Sequence, residues 1–77
     1  MNQPIIFNFL NNTILENGNT HMLTTPKIAD IICRGTYAST EQIEISILSA
    51  GCSLRFADAV KYVFEACFDS RRYTIIS

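Results

Sequence analysis

The chain has 77 residues and a mass of 8.7 kDa, enough for one small domain with one hydrophobic core. It is 48% hydrophobic and 17% charged, where soluble domains average about 25% charged residues, so it is not a disordered tail. Six Lys and Arg against seven Asp and Glu give a net charge of -1 and a pI near 5.6, which excludes a polybasic nucleic-acid arm.

No apolar run is long enough to span a bilayer, and Met1-Asn2-Gln3-Pro4 lacks the cationic start of a signal peptide, so the expected location is the cytoplasm. Cys33, Cys52 and Cys67 are separated by 19 and 15 residues, and the sole histidine, His21, precedes the first by twelve. An odd count without a close Cys pair fits neither a disulfide framework nor a tetrahedral zinc site. Cys33 and Cys67 read as small core hydrophobes, and no cofactor is implied. A chain this short buries only about 60% of its surface on folding, so a partner or a second copy is the expected source of added stability.

The asparagine-rich first third reads as β structure. Ile5, Phe7 and Phe9 alternate with Ile6, Asn8 and Leu10, as in a strand with one strongly apolar face, and Asn11-Asn12 would turn the chain. Asn17-Gly18 is the preferred pair for a type I′ hairpin between Thr13–Glu16 and Asn19–Leu23. A short helix over 6–15 is the competing reading.

Thr24-Thr25-Pro26 marks a helix start, with Ile28, Ile31 and Ile32 on one face and Gly35 beyond the end, predicting a helix over 26–34. Ser39-Thr-Glu-Gln42 has the form of a capping box, and Gly51 a stop. Ile43, Ile45 and Ile47 instead alternate as in a strand. The agreement of box and stop selects a helix over 40–50, in which Ile45 points away from Ile43 and Ile47. Ser53 would cap a third helix over 54–68, with Phe56, Val60, Val63, Phe64 and Cys67 as its apolar stripe and Arg55, Asp58, Tyr62 and Glu65 opposite. Asp69-Ser70-Arg71-Arg72 breaks that helix, and Tyr73–Ile76 has strand composition. The expected fold is α+β: an N-terminal hairpin or small antiparallel sheet, three helices and a short C-terminal strand, in a single domain over 1–77.

Groups for catalysis are sparse. His21 has no partner in sequence, Glu41 and Glu44 read as a solvated face, and Gly18, Gly35 and Gly51 are too isolated to cradle a phosphate. The stretch from Gly51 through Ser53 to Ala57 resembles the Gly-x-Ser-x-x-x-Ala opening of helix-turn-helix units, which implies a small dimeric DNA-binding regulator. The helix after it carries as many acidic as basic groups, and the chain lacks a basic footprint. The favoured expectation is therefore a non-enzymatic module that binds, and regulates or inhibits, a partner protein while forming a homodimer. Small size and neutral composition suit an inhibitor of the mobile-element or phage type. Its candidate partner-binding residues are Arg55, Tyr62, Arg71, Arg72 and Tyr73, where arginine and tyrosine recur closely enough to form one patch.

Overall fold

A computed structural model describes residues 4–67 and 72–77. In chain order the elements are β1 (Ile5–Asn8), β2 (Thr13–Glu16), β3 (Asn19–Met22), α1 (Thr25–Cys33), α2 (Thr40–Gly51), α3 (Phe56–Cys67) and β4 (Tyr73–Ile76). The fold is α+β. The four strands form one sheet in the order β3-β2-β1-β4, with β1–β2 and β2–β3 antiparallel and β1–β4 parallel. A parallel pair needs a long crossover, and the three helices supply it.

The two tight turns use asparagine for different reasons. Asn8 Oδ1 accepts hydrogen bonds from the Leu10 and Asn11 amides at 3.0 and 3.1 Å, folding the chain after β1. Asn17 and Gly18 have φ of 50° and 81°, the paired positive values of a type I′ turn, which matches the strand twist.

Register decides which side chains face the helices. Phe7 lies opposite Ile14 on one side and Ile75 on the other, Ile5 opposite Tyr73, and Ile14 opposite His21. These residues share the core face, where Phe7 and Ile14 are fully buried. Ile6, Leu15, Thr20 and Thr74 share the opposite face.

The first two helix starts are fixed locally. Thr24 Oγ1 accepts from the Lys27 amide at 3.3 Å, with Pro26 in the first turn of α1. Ser39 and Gln42 complete both halves of a capping box on α2, with amide-to-side-chain distances of 2.9 and 3.2 Å. That box wins over the strand-like alternation of 43–47, and Ile43 and Ile47 are buried while Ile45 is 55% exposed. The core combines Phe7 and Ile14 with Ile28, Ile31 and Ile32 of α1, these two α2 residues, and Val60, Val63 and Phe64 of α3. Each such side chain, once buried, contributes about 1.5–3 kcal/mol. α2 packs against both α1 and α3, whose mutual contact is slight.

The third helix departs from the sequence reading at both its start and its stripe. It begins at Phe56, not Leu54, because Ser53 is already engaged at the end of α2: its amide and its hydroxyl both donate to the Ala50 carbonyl, at 3.1 and 3.3 Å. Phe56 leaves the core stripe. It sits at the open end of the helix, 39% exposed, with its ring edge-on to Phe9 at 5.5 Å, and Ala59 takes its expected place in the interior.

Candidate protein-interaction surfaces

The structure divides the predicted arginine–tyrosine patch. Arg55 stands just before α3, almost fully exposed, with its Nε 3.8 Å from Asp58. Tyr62 lies on the same outward face, 64% exposed. Arg72 lies beyond the other end of the helix, and twelve residues at about 1.5 Å each put roughly 18 Å between the two ends. Arg71 lies outside the described residues. Tyr73 is not a surface group: the strand turns it onto the core face, 8% exposed, with its ring 4.3 Å from that of Phe64. Burial, and then the neighbouring Glu65 carboxylate with its hydrogen bond, raise the Tyr73 hydroxyl above the ordinary value of 10.0.

Arg72 instead borders a second cluster that sequence reasoning missed. It lines a cavity of about 140 Å³ with Ile5, Glu16, Ile31 and Arg34. Arg34 Nη2 lies 3.2 Å from Glu16 Oε1 and 3.4 Å from Asp30 Oδ2, joining the end of β2 to the end of α1. The Arg34–Asp30 pair was readable from its i, i+4 spacing. The Glu16 partner, eighteen residues away, needed the fold. This cluster clamps sheet to helix.

Among the described residues two exposed surfaces stand out. The first is apolar. Ile45 and Leu48 of α2 are 55% and 60% exposed, and Leu48, Cys52 and Phe56 border a shallow depression of about 300 Å³. Ile45, Leu48 and Cys52 recur at i, i+3 and i+7, the spacing of a helix-packing seam. Thus α2 has two apolar faces and the fold covers one, Ile43 with Ile47. Alternating isoleucines on a helix were the sequence signal for this.

The second is the side of β4 away from β1, which no other strand of the described residues covers. An open groove of about 430 Å³ runs between that strand and α3, with Ala57, Asp58, Lys61 and Glu65 as its helical wall. Lys61 Nζ lies 4.0 Å from Glu65 Oε1. The turn from α2 to α3 spans Cys52–Arg55, a local helix-turn-helix arrangement, but the exposed side of α3 carries Asp58 and Glu65 against Lys61.

Among the described residues no three His, Cys, Asp or Glu side chains gather into a metal-binding group, and none of the helices is long and apolar enough to cross a membrane. His21 is half-buried beside Ile14 at the edge strand β3. Comparison with protein-family models, curated proteins and solved structures found no match.

Proposed function

We propose that the chain is a non-enzymatic protein-binding module, a small regulator or inhibitor of a partner protein, that works as a homodimer joined through the outer seam of α2. The observation that carries this reading is the second apolar seam of α2, Ile45 and Leu48, with Phe56 bordering the same depression as Leu48. A second copy is the occupant that suits it, because the seam complements itself. Two α2 helices packed antiparallel set Ile45 of each against Leu48 of the other. Glu41 of each then meets the Cys52 end of its mate, not another carboxylate, and each helix N-terminus lies beside a C-terminus. The exposed side of α3, with Asp58 and Glu65 against Lys61, weighs against the DNA-binding alternative, since phosphate affinity rests on an excess of cations. The α3–β4 side stays open for the partner.

Light scattering over a dilution series tests the dimer. The mass is expected to rise from 8.7 kDa toward twice that value with concentration. Ile45→Glu with Leu48→Glu, both on the solvent side of α2, is expected to keep the helical circular dichroism and hold the chain at the monomer mass. A wild-type chain that stays monomeric at every concentration overturns the dimer, and retention on heparin at low salt would favour the DNA-binding alternative.

A further inference from the structure

We infer that the groove between β4 and α3 is a strand-docking site, which takes an extended basic segment of a partner protein as the fifth strand of the sheet. The inference rests on the module reading above but not on its dimer.

The backbone supplies the first argument. The Phe9 amide donates to the Ile76 carbonyl at 2.7 Å, and Ile6 and Asn8 lie opposite Thr74 and Ile76. In a parallel ladder a residue sends its N–H and C=O to the same side, and successive residues alternate. Thr74 and Ile76 therefore bond to β1, while Tyr73 and Ile75 aim their N–H and C=O away from it, along the groove. Among the described residues β1 is the one strand beside β4. Edges are commonly blunted by lysine, proline or a bulge, and Tyr-Thr-Ile-Ile has none of them.

The second argument is the wall. An incoming strand paired with Tyr73 and Ile75 directs every second side chain toward α3, where Ala57, Asp58, Lys61 and Glu65 line the groove. Asp58 and Glu65 against Lys61 give the groove one net negative charge, and Arg55, 3.8 Å from Asp58 but almost fully solvent-exposed, screens it only weakly. A self-paired β4 is disfavoured by the same charges. Two-fold pairing would bring two walls of the same sign together. Cationic side chains at alternate positions of a foreign strand bring no second acidic wall.

The probe is a fluorescein-labelled heptapeptide that alternates lysine with valine, titrated into the full chain carrying Ile45→Glu and Leu48→Glu, so that dimer formation plays no part. Anisotropy should report saturable binding, and amide shifts in two-dimensional NMR should centre on Tyr73 and Ile75. Replacing each lysine by glutamate should weaken binding at least tenfold, about 1.4 kcal/mol. N-methylation of alternate peptide bonds should abolish binding, since it removes the donors that face the edge. Asp58→Lys, a surface change that leaves the core intact, should weaken the lysine peptide and strengthen the glutamate one. Absence of binding, equal binding of the N-methylated peptide, or shifts confined to α2 overturns the assignment. Such a failure would leave the light-scattering result for the dimer untouched.

Discussion

The rings of Phe64 and Tyr73 lie 4.3 Å apart at a tilt of 56°, so α3 is locked to β4 through the centre of the core. Phe64 also meets Phe7 edge-on at 5.2 Å, which places one side chain between both strands of the parallel pair. Phe64→Ala should cost about 3–5 kcal/mol, the usual range for a buried phenylalanine. Small domains hold about 5–15 kcal/mol in all, so thermal unfolding should show a chain that is barely folded at 37 °C or insoluble. A melting temperature within a few degrees of wild type would contradict this packing.

Tyr73 gives the fold an alkaline limit. Its hydroxyl is held neutral by burial and by the Glu65 carboxylate, above the ordinary value of 10.0. A group whose folded pKa exceeds its unfolded one stabilises fully below the unfolded value, and that stability is lost as pH rises through the folded value. Urea denaturation should therefore show wild-type stability falling above pH 10 more steeply than that of Tyr73→Phe. Parallel pH profiles would contradict the upward shift of this hydroxyl.

What could be read from sequence was whatever short-range chemistry decides. The Ser39 box, the Thr24 cap with Pro26, and Asn17-Gly18 each place an element end within one or two residues, because every partner involved is at most four residues away. Long-range pairing was not legible. Nothing in Tyr73–Ile76 announces that it lies parallel to Ile5–Asn8, and that pairing turns Tyr73 inward and undoes the Arg55–Tyr73 patch. Phe56 misled for a related reason: a helical stripe assumes the helix has begun, and Ser53 had already been taken by α2. Ile45 was legible as the residue hardest to place inside a monomer, and it is exposed.

Two glycines should answer oppositely to alanine. Gly18 has φ of 81°, and a methyl group there meets nothing within 4 Å, so any cost is backbone strain alone. Gly18→Ala should destabilise by about 1–2 kcal/mol. Gly51, in the last turn of α2, also has open space for a Cβ but no positive φ. Gly51→Ala should be stabilising by about 0.4–1 kcal/mol, chiefly by restricting the unfolded chain. Denaturation midpoints that shifted in the same direction for both would show that one of the two backbone assignments is wrong.

The three thiols should report the helix packing and the α2 seam together. Cys33 and Cys67 pack against the core, whereas Cys52 is exposed at the end of α2, its Sγ 3.4 Å from the Leu48 carbonyl. Thiol reagents attack only what they can reach, so Ellman's reagent should label one equivalent quickly in dilute native protein. Cys52→Ser should remove that fast phase. The other two should react at the slower rate of local opening, which urea accelerates. Cys52 continues the line of Ile45 and Leu48, so pairing of two seams would cover it. Raising the protein concentration should then slow the fast phase, and Ile45→Glu with Leu48→Glu should cancel the concentration dependence. A fast phase that persists in Cys52→Ser would place Cys33 or Cys67 at the surface. A concentration-independent rate in the wild-type chain would mean that two α2 seams do not meet.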